Sequence, residues 1–121
     1  MAYDDNNIFA KILREEIPCK KIYEDEFVLS FFDINPQKKI HALVIPKGKY
    51  IDLDDFANNA SNDEIVGLIK GINIVAKKLD ISVDTGKGYR ALANTSEHGG
   101  QEVPHLHFHL FGGESIGKMV Q

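Results

Sequence analysis

Residues 105–111 read His-Leu-His-Phe-His-Leu-Phe. Polar and apolar residues alternate without a break, a period of two that suits a strand and not a helix. On a strand, Leu106, Phe108 and Leu110 point to one side and His105, His107 and His109 to the other. The apolar side belongs in a core. A slip of one residue would exchange the two faces, so the register is strongly specified and the three imidazoles are held with it. Gly112-Gly113 ends the run.

The rest of the chain supplies partners for this strand. Residues 1–6 are expected to be frayed. Residues 7–14 place Ile8, Phe9, Ile12 and Leu13 toward one helical face, and Pro18 closes that segment. Residues 20–25 and 27–34 read as strands, and Asn35-Pro36 as a turn. In the strand 40–46, Ile40, Ala42 and Val44 alternate against His41, Leu43 and Ile45. Residues 51–60, rich in Asp and Asn, read as an irregular polar connection.

A long helix is expected over 62–79. Ser61 with Glu64 forms a capping-box signature, and Ile65, Leu68, Ile69, Ile72, Val75, Ala76 and Leu79 form its buried stripe. Gly67 and Gly71 lie off that stripe. They are either surface glycines or the place where a second helix approaches closely, as at a two-fold interface. Residues 85–88 read as a turn, 89–95 as a strand and 96–104 as a glycine-containing loop. Short-linked strands with two segregated helices predict an α+β fold with a mostly antiparallel sheet.

The 121 residues fit one domain, 1–121. Net charge is −4 and no Lys/Arg cluster is dense enough for a nucleic-acid footprint. The apolar runs are far too short to span a membrane. The polar, acidic start MAYDDNN does not read as a targeting segment. The single cysteine, Cys19, forms no internal disulfide and no Cys-cluster zinc site, so a cytoplasmic location is the default. After Thr85 the only acids are Glu97, Glu102 and Glu114, which leaves the histidine-bearing third the least hostile to an anion.

Three readings compete for the histidine face. Chance placement on a solvated sheet is disfavoured, because three of only five histidines fall in one run. A metal site meets a geometric difficulty: the outer pair are about 13 Å apart at Cα, whereas zinc–nitrogen bonds are about 2.0–2.1 Å. His41 on another strand can complete a site, but no carboxylate-rich spacing supports one. No metal or cofactor is expected. Nucleophilic catalysis uses every element: a central imidazole attacks an electrophilic phosphorus, and flanking imidazoles supply protons and hydrogen bonds. Gly99-Gly100-Gln101 can bring backbone N–H groups to phosphate oxygens.

The run HLHFHLF, with IPCKKIYED, FFDINPQKKIHALVIPK and GYRALANTSEHGGQEVPHLHFHLFGG, closely resembles the histidine triad (HIT) superfamily in its HINT-like, nucleotide-binding branch. The likeness covers nearly the whole chain. It implies a five-stranded, mostly antiparallel sheet with two helices, and a homodimer formed through the long helix. It implies hydrolysis of purine nucleoside 5′-phosphoramidates, amine conjugates of AMP or GMP, through a nucleotidyl-histidine intermediate.

Carried over by position, His107 is the nucleophile, held in its attacking tautomer by a backbone carbonyl. His109 contacts the phosphate, and His105 and His41 support the network. Asp33 accepts the ribose hydroxyls, Ile34 and Phe32 line the base pocket, and Asn94, Gly100, Gln101 and Val103 border the nucleotide. Glu102 stands where eukaryotic HINT-type members tend to carry Ser. A dinucleoside polyphosphate hydrolase of the same superfamily and a non-catalytic nucleotide-binding module are the alternatives.

Overall fold

A computed structural model describes residues 2–120. One antiparallel sheet organises it, in the order β1-β2-β3-β5-β4. The strands are β1 (Lys21–Glu24), β2 (Val28–Phe32), β3 (Ile40–Pro46), β4 (Arg90–Leu92) and β5 (Phe108–Gly112). The strongly apolar β3 is central, paired with β2 on one edge and β5 on the other. The expected α+β class and the five strands are present.

The helices are α1 (Ile8–Leu13), α2 (Leu53–Asn59), α3 (Asn62–Lys78) and α4 (Ser96–Gly99). Two are additions to the expected pair. The stretch read as irregular, 51–60, contains α2. Asp52 caps it by accepting from the Asp55 N–H, and Asp54 and Asp55 sit in its first turn, where the helix dipole favours acids. Only Phe56 of α2 is buried, so no apolar stripe announced it. The short α4 lies within the loop 96–104. For α3 the expected capping box forms in full between Ser61 and Glu64.

The sheet carries a core on each face. On one side Val28, Ala42, Val44, Leu106 and Leu110 pack against Leu68, Ile72, Val75 and Ala76 of α3. On the other, Leu29, Phe31, Leu43 and Ile45 pack against Phe9 and Ile12 of α1. Leu106, Phe108 and Leu110 thus serve the α3 core as the alternation requires, and the histidines share the α1 side.

Two readings of α3 change. Ile69, placed in the buried stripe by spacing, is 60% exposed, beside Val66 at 50%. Gly67 and Gly71 do not face a second helix; they face this chain's own sheet. A Cβ at Gly67 would lie 2.6 Å from the Phe27 ring, and one at Gly71 would lie 2.9 Å from a Val28 methyl. The glycines let α3 settle onto the start of β2. Among the described residues, no helix is long and apolar enough to cross a membrane.

Candidate active site

The strand expected over 105–111 starts at Phe108, so only His109 of the three histidines lies within β5. The register pairs Val44 with Phe108, and two residues further on it would set Leu106 opposite Pro46. Proline has no N–H to donate to the ladder. The chain departs there: the Leu106 N–H donates to the Tyr50 carbonyl (2.8 Å), and the freed Pro46 carbonyl lies 2.9 Å from His105 Nε2. The expected 89–95 strand likewise shortens to three residues.

His105 is fully buried and His107 and His41 are nearly so. The Phe9 ring meets His107 edge-on with centroids 4.9 Å apart, and the His107 and His109 rings are 5.0 Å apart. Phe111 continues the histidine face. It stacks parallel to His109 at 5.8 Å and lies 4.3 Å from His41.

Burial disfavours the charged imidazolium, and all four rings titrate low. His105 is pushed down to about 4 by desolvation. His109 is pushed down to about 4, first by desolvation and then by its neighbours His107 and His41. Desolvation also lowers His107 and His41, with the Asp33 carboxylate opposing it in both. The rings are therefore neutral at pH 7, and each carries one N–H.

Their partners then assign the protons. His107 Nδ1 lies 2.7 Å from the His105 carbonyl oxygen, which can only accept. His107 is thus the Nδ1–H tautomer, and its Nε2 lone pair is free. For His41 the order is reversed. The Gln37 backbone N–H donates to His41 Nδ1 (3.1 Å), so the proton is on Nε2, 2.9 Å from His109 Nδ1. His109 accepts there and keeps its own proton on Nε2. One ring of the His107–His109 pair offers a lone pair and its neighbour offers a donor.

Both rings line a cavity of about 500 Å³ with Phe9, Asp33, Asn94, Gly100, Glu102, Val103 and His41. Asp33 follows β2, its N–H on the His41 carbonyl (3.1 Å). Its Oδ1 closes the Asn35-Pro36 turn by accepting from the Asn35 N–H (2.8 Å), and Oδ2 lies 3.5 Å from His41 Nε2. Phe32 and Ile34 line a separate, adjoining groove of about 680 Å³ with Pro18, Cys19 and Pro36. Asp33 and His41 form the wall shared by the two. Ile34 is 85% exposed at its rim.

Two expected roles are taken up elsewhere. The Gln101 side chain donates to the Ile51 and Val103 carbonyls (2.7 and 3.0 Å) and accepts from the Ser96 N–H (3.0 Å), bracing the loop instead of facing the cavity. The backbone N–H groups of Gly99, Gly100 and Gln101 bond to Thr95, Glu97 and Ser96 carbonyls inside the α4 turn. They are not free for a phosphate. Gly100 is needed for its conformation, φ +74°, which caps α4.

Phe9, Gln37 and Phe111 were not read from the sequence as site residues. Phe111 was accessible to it, since the period of two that picks out the histidines continues to position 111. Nothing local marks Gln37, whose contribution is a backbone N–H.

Asp33, His41 and His109 present possible metal-ligand atoms within 4.8 Å of one another. The His41–His109 hydrogen bond already occupies two of those atoms with a shared proton. Chelation with EDTA is expected to leave activity unchanged; loss of activity restored by zinc would contradict this.

The buried neutral histidines also set a pH dependence of stability. The unfolded chain protonates its histidines near pH 6.5, whereas folded His105 does so near 4. Between those values the unfolded state binds more protons, so the contribution is full above pH 6.5 and is lost as pH falls toward 4. From His105 it is on the order of 3 kcal/mol. Urea unfolding at pH 7.5 and 4.5 should show this fall. An unchanged midpoint would mean that His105 is not held neutral.

Comparison with known proteins agrees with this geometry. Residues 14–116 match the family model described as HIT domain. A HIT-like protein of Azospirillum brasilense is 52% identical over 118 residues, 98% of this chain and 94% of its own. The purine nucleoside phosphoramidase of Escherichia coli (strain K12) is 39% identical over 116 residues, 96% of this chain and 94% of its own. A solved HIT family hydrolase from Clostridium thermocellum is similar with a TM-score of 0.85 at 38% identity, covering 98% of this chain and 99% of that one. The chain belongs to the HIT family, and its architecture is the α+β HIT fold.

Proposed function

We propose that this protein hydrolyses purine nucleoside 5′-phosphoramidates through a nucleotidyl-His107 intermediate, releasing the nucleoside monophosphate. One observation carries the reading: His107 Nε2 with a free lone pair and His109 Nε2–H as a donor line one cavity. The likeness to the phosphoramidase of Escherichia coli supports the choice of the P–N bond.

His107 Nε2 attacks phosphorus, and the P–N bond to the amine breaks as the P–Nε2 bond forms, the departing amine taking a proton from solvent. His109 Nε2–H donates to a phosphoryl oxygen as charge builds there. Water then attacks phosphorus, gives a proton back to solvent and displaces His107, whose Nε2 lone pair is restored. His41 and His105 are positioning residues, one holding the His109 tautomer and the other the His107 tautomer. No cofactor or metal enters these steps.

Asp33 Oδ2 takes the ribose hydroxyls. The groove lined by Phe32 and Ile34 takes the purine base, while Asn94, Gly100 and Val103 border the phosphate side. Gln101 acts on that border through the loop it braces. The reading includes a cytoplasmic location, to which the single cysteine is suited. The two core layers on one sheet support treating residues 1–121 as a single HIT domain.

The test is a panel of AMP and GMP phosphoramidates set beside diadenosine polyphosphates. Turnover of the P–N substrates is expected to dominate. Preference for the polyphosphates would move the reading to the other hydrolase class. Tight nucleotide binding with no turnover of either would leave a binding module.

A homodimer is part of the same proposal, with the exposed Val66 and Ile69 face of α3 as its seat. Ile69→Lys is expected to shift the protein toward monomer in sedimentation velocity; an unchanged dimer would place the interface elsewhere.

A further inference from the structure

The segment expected to be frayed holds a side chain tied to the triad; of that segment, Met1 lies outside the described residues. The Tyr3 hydroxyl lies 2.5 Å from His105 Nδ1. Its ring meets the imidazole nearly edge-on, with centroids 5.6 Å apart and planes at 73°. Asn7, four residues on, caps α1 by accepting from the Ala10 N–H (2.9 Å) and is itself braced on the Asp4 carbonyl (2.7 Å). The approach of Tyr3 to the histidine is thus anchored at the next element.

His105 has two ring nitrogens and a different partner for each. Nε2 faces the Pro46 carbonyl at 2.9 Å, and a carbonyl only accepts. A neutral ring therefore has its proton on Nε2 and its lone pair on Nδ1, and the Tyr3 O–H donates to that lone pair. The ring is fully buried, so no solvent replaces either partner. The carbonyl of the same residue accepts from His107 Nδ1–H at 2.7 Å. The ring is pinned at both ends, to β3 and to the N-terminal segment, and its backbone oxygen selects which nitrogen of His107 stays free.

We propose that Tyr3 is a positioning residue of the triad, holding His105 and, through its carbonyl, His107 in the tautomer that leaves Nε2 unprotonated. This rests on His107 being the nucleophile. Without the hydroxyl, Nδ1 of a buried ring loses its donor. The ring then gains by turning its lone pair toward another donor, since an unpaired buried polar atom is costly. That turn moves the 105 carbonyl and loosens the choice of tautomer at His107. A tether for the chain end would need only the ring contact, which phenylalanine also makes.

Tyr3→Phe in the full chain separates the two roles, because it keeps the aromatic contact and removes one oxygen. Nitrogen-15 NMR of the imidazoles reports the tautomers without any substrate. In the variant, His105 Nδ1 is expected to move to the position of an unbonded lone pair, and His107 to show a mixture of Nδ1–H and Nε2–H forms. Turnover should fall about tenfold in kcat, with KM within about twofold. Unchanged imidazole signals would overturn the proposal. So would a fall in kcat that tracks a lower melting temperature with both tautomers intact. If the unsubstituted protein turns over no phosphoramidate, the proposed function fails, and the NMR comparison alone still decides whether Tyr3 sets the tautomer of His107.

Discussion

His107→Ala is expected to lower phosphoramidate turnover by roughly a thousandfold or more, the scale on which removal of a covalent nucleophile acts. The imidazole supplies the attacking lone pair, and none of the other three imidazoles replaces it. His109 keeps its proton on Nε2 because His41 Nε2–H fills its Nδ1. His41 uses one nitrogen on Gln37 and the other on His109. His105 lies behind the cavity wall with both nitrogens engaged.

Removing a buried ring packed 4.9 Å from Phe9 also costs some stability. The variant's melting curve and nucleotide affinity therefore have to be measured beside its kcat. A folded, nucleotide-binding variant that keeps more than about one per cent of turnover would sink the covalent mechanism. Mass spectrometry of the quenched unsubstituted protein should find the nucleotidyl adduct on His107 and on no other residue.

Gly71→Leu should destabilise the fold by roughly 2–4 kcal/mol through overpacking. The first atom of the new side chain would stand 2.9 Å from a Val28 methyl, and Val28 is itself buried against α3 and the sheet. The gain of about 1 kcal/mol from replacing a mid-helix glycine is too small to offset this. The loss should be the same at every protein concentration. A lesion at a subunit interface would instead appear as a concentration-dependent stability. If Gly71→Leu unfolds at the original midpoint but sediments as a smaller species, α3 meets a partner at this position.

The alternation in 105–111 was enough to separate a core face from a chemical face, because the period of a strand is local. Ser61 and Glu64 marked the start of α3 for the same reason: a cap is closed within four residues. The helix α2 was less legible. Its signal is an Asp cap and first-turn acids, and with Phe56 alone buried it lacks the apolar period that usually marks a helix. Gly67 and Gly71 were visible as small residues on α3, but the surface they approach lies some forty residues earlier in the chain.

The sequence by itself therefore determined the class of fold, the side of the sheet that bears the histidines and, through its likeness to the HIT superfamily, the residues to look for. Only the tertiary structure decided which nitrogen of each ring carries the proton. The proton on His107 is placed by the His105 carbonyl, that on His41 by the Gln37 backbone, and that on His105 by Pro46 and Tyr3. A neutral imidazole has two nearly equivalent tautomers. Choosing between them takes buried partners of fixed polarity, and several of these come from distant parts of the chain.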